Sequence, residues 1–160
     1  MSAMTRKDLI LLAASGSAAL LLGAFAFQHI GGLAPCPLCI WQRWPHGAAV
    51  VLGAVGLFYP RAFVAFLGAL AAGASGAIGI YHTGVERGWW EGLSNCVSGD
   101  ISGLSTDELM EQIMAAPLIR CDEVAWEMWG LSMASWNAVL SFALAAAWVA
   151  AAMRRWGESG

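Results

Sequence analysis

Two thiols three positions apart, Cys36 and Cys39, sit in Pro35-Cys36-Pro37-Leu38-Cys39-Ile40-Trp41-Gln42-Arg43. Such a pair can close a small, reactive disulfide, and its thiolate is the form that attacks disulfides and gives up electrons. Arg43 follows Cys39 by four positions, so in a helix the two share a face one turn apart. Positive charge and the partial charge of a helix N-terminus both favour a thiolate. An apolar run opens at Ile40, which aims both effects at Cys39 and places the pair where a membrane helix starts. Two more thiols, Cys96 and Cys121, bring the total to four, an even number with three possible connectivities and suited to an oxidising compartment.

Other chemistries fit these residues less well. Zinc wants a second close Cys or His pair, and Cys96 and Cys121 are 25 positions apart. Haem attachment needs His after the second Cys, where Ile40 stands. Two inert structural disulfides would leave Arg43 unexplained, unless it only snorkels to lipid headgroups. His82, and more so His29 and His46, read first as interfacial belt residues. There is no Ser/His/Asp set, phosphate loop or H-E-x-x-H motif.

The elements that must position the thiols are helices in lipid. The chain is 59% hydrophobic and 12% charged, with mean hydropathy +0.63, nine Trp and 19 Gly, the composition of an integral membrane protein. A net charge of −3 without a basic block gives no support to a nucleic-acid partner. We expect an all-α, single-domain four-helix transmembrane bundle, with spans at about 9–27, 40–59, 62–81 and 131–153 and a long external loop at 82–130. The first run is longer than a signal-peptide core of about 7–15 residues, and we read it as retained despite Ala24-Phe25-Ala26. Pro45 predicts a kink or loosened first turns in the second span. Trp41 and Trp44 predict an interfacial belt, and Gly68, Gly73, Gly76 and Gly79 predict close helix approach. In the loop, Ser105-Thr106-Asp107-Glu108 offers a helix start and Pro117 a stop, predicting a short helix with Leu109, Met110, Ile113 and Met114 on one face.

Arg6, Lys7, Arg61, Arg154 and Arg155, five of the eight cations, fall on one side of this layout. The positive-inside rule puts them and both termini in the cytoplasm, with all four thiols outside. Two dithiol pairs on one side of a membrane suggest electron passage by thiol exchange from the loop pair to the helix pair. A dithiol turns over only if it can discharge, and the lipid-soluble two-electron acceptor is a quinone.

These residues resemble the DsbB family of disulfide bond formation proteins. The likeness rests on Phe27-Gln28-His29, Pro35-Cys36-Pro37-Leu38-Cys39, Gln42-Arg43, Tyr81-His82, Cys96, Cys121-Asp122 and Trp136-Asn137, and with the span layout it covers nearly the whole chain. The resemblance implies a bacterial inner-membrane enzyme that reoxidises a periplasmic thioredoxin-like thiol oxidase, DsbA, and passes electrons to ubiquinone or menaquinone. By the same resemblance, Cys96 would form the mixed disulfide with that partner and Cys121 would pass electrons to Cys36. Cys39 would be the thiolate facing quinone, with Arg43 and His82 lining the head-group site. The rival readings are a DsbB-like variant with a dedicated partner, a vitamin K epoxide reductase-like enzyme, and a disulfide-stapled scaffold without redox activity.

Overall fold

The computed structural model describes residues 4–93, 105–107, 110, 114 and 119–154. Four long helices dominate: α1 (Arg6–His29), α2 (Pro37–Phe58), α3 (Ala62–Glu86) and α4 (Met133–Met153). Chiefly, α1 packs on α2 and α4, and α3 packs on the same two, so the helices form a closed ring in chain order. Three of them, α1, α3 and α4, are long and apolar enough to cross a membrane. Gln42, Arg43 and His46 make α2 the more polar helix.

Each helix starts for a local reason. Thr5 and Asp8 form a reciprocal capping box on α1. The Ser132 hydroxyl accepts the Ser135 amide at the start of α4. Pro37 opens α2 as its first residue, where its missing N–H costs nothing. The helix therefore begins three residues earlier than the apolar pattern predicts, and it runs without interruption through Pro45. It ends at Phe58, and the Arg61 amide donates to the Tyr59 carbonyl in the tight turn into α3. That helix continues to Glu86, five residues past its expected end, bringing His82 inside it.

The core divides into two apolar clusters with polar residues between them. At one end Trp148, fully buried, packs among Leu9, Ile10, Ala13, Ala65, Ala69, Ala72 and Ala151. Gly68 makes this possible, because any Cβ there would fall inside the Trp148 ring. Gly76 and Gly79 serve Phe142 and Ala138 in the same way, whereas Gly73 faces open space, contrary to expectation. At the other end Cys36, Leu38, Val85 and Cys121 form the second cluster. The Arg6 guanidinium closes the first end, donating to the backbone carbonyls of Ala151, Pro60 and Arg154. Arg6 and the thiols thus sit at opposite ends of the bundle.

A small β-hairpin, absent from the all-α expectation, leads into α4. Strands β1 (Glu127–Met128) and β2 (Leu131–Ser132) pair antiparallel across Trp129 and Gly130. Both turn residues have positive φ, 55° and 76°, as the tightest hairpin turns require. Strands of two residues are too short to show alternation in a sequence. Thr106, Asp107, Met110 and Met114 have helical backbone. The rest of the expected loop helix, with Leu109 and Ile113, lies outside the described residues, as do Cys96 and Arg155.

Candidate functional site

The thiol pair sits at the N-terminus of α2, with Cys36 rather than Cys39 in the capping position. Cys36 Sγ accepts the Cys39 amide at 3.2 Å, in the manner of a capping oxygen. The two sulfurs lie 2.9 Å apart as free thiols. The sequence reading aimed the helix terminus at Cys39 alone; the earlier start at Pro37 makes Cys36 the residue that meets the first free amides.

His82 comes from the last turns of α3. It is only 3% exposed, so it is not a belt residue. Its Nε2 faces Cys36 Sγ at 3.6 Å and Glu86 Oε1 at 3.8 Å, while its Nδ1 meets Gln42 Nε2 at 3.0 Å. Glu86 in turn accepts the Ser132 hydroxyl. Cys121 completes the group from the long loop. It is wholly buried, and its Sγ lies with Cys36 Sγ and a His82 ring nitrogen within 4.8 Å of one another. Thus two cysteines 85 positions apart in the chain are brought side by side. Two thiols and an imidazole are also donors that a soft cation such as zinc can use.

Two arginines near the thiols are held by partners. Arg43 reaches across to α1, where Nη1 donates to Gln28 Oε1 at 2.6 Å and the guanidinium lies 5.0 Å over the Phe25 ring. Beside Cys121 in the chain, Arg120 pairs with Asp122 at 2.6 Å and with Glu123 at 3.5 Å. The hydrogen bonds from Arg120 hold the Asp122 carboxyl below the usual aspartate range.

Below the thiols lie polar residues that the sequence reading did not assign to the site. Asn137 Nδ2 donates to Gln42 Oε1 at 2.7 Å and to Ser75 Oγ at 3.1 Å. His46, expected in the interfacial belt, is buried, with Nε2 at 3.1 Å from both Asn137 Oδ1 and Ser141 Oγ. His29 alone of the three histidines is exposed, stacked on Phe25. Gln42 and His46 follow each other by four positions on one buried face of α2. Polar residues so placed in an apolar helix are the signal that could have found this layer.

A cavity of about 470 Å³ opens beside the thiols, its walls including Cys36, Cys39, Arg43, His46, His82 and Trp136. Leu20, Leu21, Phe27, Trp126 and Leu140 make most of its lining apolar. Two of its residues carry buried polar atoms without a protein partner, Arg43 Nε and His46 Nδ1. Its volume lies in the range of a small-molecule site, and its few polar groups would orient a mostly apolar guest.

The arrangement can therefore exchange disulfides between Cys121 and the Cys36–Cys39 pair at the mouth of an apolar cavity. Comparison with known proteins agrees. Residues 6–151 match the family model described as "Disulfide bond formation protein DsbB". The chain is 36% identical over 137 residues to Disulfide bond formation protein B of Pasteurella multocida, covering 80% of this chain and 75% of that one. It is 35% identical to Disulfide bond formation protein B 2 of Pseudomonas aeruginosa, covering 76% of each, and 32% identical to Disulfide bond formation protein B of Azoarcus, covering 88% of each. No solved structure matches. The chain belongs to the DsbB family of disulfide bond formation proteins and is a multi-pass membrane oxidoreductase.

Proposed function

We propose that this protein reoxidises a periplasmic DsbA-like dithiol and delivers the electrons to ubiquinone or menaquinone in the bacterial inner membrane. In this reading α2 is the fourth span, both termini are cytoplasmic, and Cys36, Cys39, Cys96 and Cys121 face the periplasm. The observation that carries it is the convergence of Cys121, Cys36 and His82 within 4.8 Å beside a largely apolar cavity.

The partner's dithiol attacks the Cys96–Cys121 disulfide at Cys96, and the partner's second thiol then resolves the mixed disulfide. The partner leaves oxidised, and two electrons and two protons remain on Cys96 and Cys121. Cys121 then attacks Cys36 in the Cys36–Cys39 disulfide, releasing Cys39 as a thiolate, and Cys96 closes back on Cys121, releasing Cys36. A quinone supplies a two-electron, two-proton acceptor when bound. The residues present fit such a group, since the cavity is large enough and the free Arg43 Nε–H is a donor for a carbonyl oxygen. Apolar walls exclude water from the reactive sulfurs, and the Gln28 and Ala24 oxygens hold the guanidinium in place.

The test is oxidation of a reduced DsbA-like protein by the purified enzyme in detergent, with a short-chain quinone as acceptor. One quinone should be reduced for each partner disulfide formed. Partner oxidation that proceeds equally without quinone would refute the reading.

A further inference from the structure

The polar residues between the two apolar clusters form one chain of hydrogen bonds, and backbone carbonyls fix its direction. Ser75 Oγ donates to the Gln42 carbonyl at 3.0 Å, so its lone pair must face Asn137 Nδ2 at 3.1 Å. That sets which end of the Asn137 amide is nitrogen. The same nitrogen donates to Gln42 Oε1 at 2.7 Å, leaving Asn137 Oδ1 to His46. Gln42 is then oriented in turn: its oxygen is taken, and its Nε2 donates to the Leu38 carbonyl at 3.1 Å and meets His82 Nδ1 at 3.0 Å. An N–H facing Nδ1 requires a lone pair there, so the proton of a neutral His82 must sit on Nε2. Cys36 Sγ at 3.6 Å and Glu86 Oε1 at 3.8 Å can each accept from an N–H placed on Nε2.

We propose that Gln42 and Asn137 are positioning residues that hold His82 as its Nε2–H tautomer, so that the imidazole donates to the Cys36 sulfur and cannot act as its base. The inference rests on the reading of Cys36 as a redox thiol. When Cys36 carries negative charge, it receives two N–H groups, one from the Cys39 amide and one from His82. Hydrogen bonds to an ionised sulfur are stronger than those to a neutral one, so the thiolate is favoured over the thiol. Asn137 reaches His82 only through Gln42, which separates this role from direct contact with substrate.

The experiment uses the full chain in detergent micelles, with 15N-labelled histidine and the cysteines reduced. Ring nitrogen shifts distinguish the two tautomers, and loss of one signal set in His82→Asn assigns His82. The wild type should show a protonated Nε2 and a bare Nδ1; the reverse overturns the proposal without any further variant. Gln42→Leu and Asn137→Ala should each bring up the Nδ1–H form. Alkylation of Cys36 at neutral pH, measured in a Cys39→Ser background, should then slow by roughly tenfold, the effect of one pKa unit on a thiolate population. Variants that keep the Nε2–H form, or that change tautomer without slowing alkylation, overturn the proposal. None of these readouts involves quinone, so failure of the quinone assay leaves them standing and identifies the other reading as the one at fault.

Discussion

Arg43 links two helices: from α2 its Nη1 donates to Gln28 Oε1 on α1 at 2.6 Å. Its Nη2 points to the Ala24 carbonyl at 3.5 Å, and Phe25 lies beneath the guanidinium. A snorkelling arginine would instead turn to solvent. We predict that Arg43→Ala lowers stability by about 1–3 kcal/mol, as for a charged hydrogen bond with some cation–π contact. It should also raise the KM for quinone more than that for the partner. Arg43→Lys should rescue little, since a single ammonium cannot reproduce the planar fork. Thermal melting in detergent together with the two KM values checks this; unchanged values for both would return Arg43 to a snorkelling role.

Cys36→Ser and Cys39→Ser should each stop electron delivery to quinone while the protein stays folded. Cys36 occupies the helix cap, and serine is itself a favourable capping residue, so α2 should keep its start. Circular dichroism and the quinone assay together make the check. Normal turnover in either variant removes the pair from the mechanism.

Cys96 should be the sulfur attacked by the partner, with Cys121 as the leaving sulfur. The burial of Cys121 supports this order, because an incoming thiolate cannot reach a wholly covered sulfur. With the oxidised enzyme, a partner lacking its own resolving thiol should accumulate as a mixed disulfide as Cys121 leaves, and peptide mapping should find the bond at Cys96. A bond to Cys36 or Cys39 would mean direct attack on the helix pair.

Gly68→Ala should destabilise the bundle by about 1–3 kcal/mol, the usual effect of overpacking. The new methyl would collide with Trp148, which is fully buried and cannot swing aside freely. Trp148→Leu in the same chain should relieve much of the cost, making the double variant clearly non-additive. Additive melting shifts would show that the two residues are not coupled.

The Arg120–Asp122 pair should carry a pH signature. The folded Asp122 pKa lies below its unfolded value of about 3.9. Its contribution to stability is therefore present above that value and is lost as pH falls through the lower folded pKa. Both side chains are partly exposed, so the effect should be small. Below about pH 4, wild-type loop protection against an acid protease should fall faster than that of Asp122→Asn; parallel curves would rule the pair out.

Much of the fold was legible because α1, α3 and α4 are long apolar runs, with glycines on α3 where Trp148 and Phe142 approach. Legibility failed where a single local interaction decides. The start of α2 depends on Pro37 and a sulfur cap, which hydropathy does not register. The hairpin depends on Trp129 adopting a positive φ, which bulky residues seldom do. Among site residues, Cys36, Cys39 and Cys121 could be named from spacing and resemblance, and the structure gathers them around His82. Gln42, His46 and Asn137 were present in the sequence as isolated polar letters, and only the approach of three helices turns them into a connected chain.

The Arg6 contacts also have a consequence for biogenesis. This side chain enters the membrane with the first helix, but its acceptors lie at Pro60, Ala151 and Arg154. The last two are synthesised only after the first three helices. Until then α1 can dock on α2 but cannot close the ring, and Trp148 has not yet covered the alanine and glycine faces of α1 and α3. Those faces must wait against lipid or the insertion machinery. A ribosome stalled before α4 would thus hold a three-helix intermediate open, with Cys121 already made but Trp148 still missing.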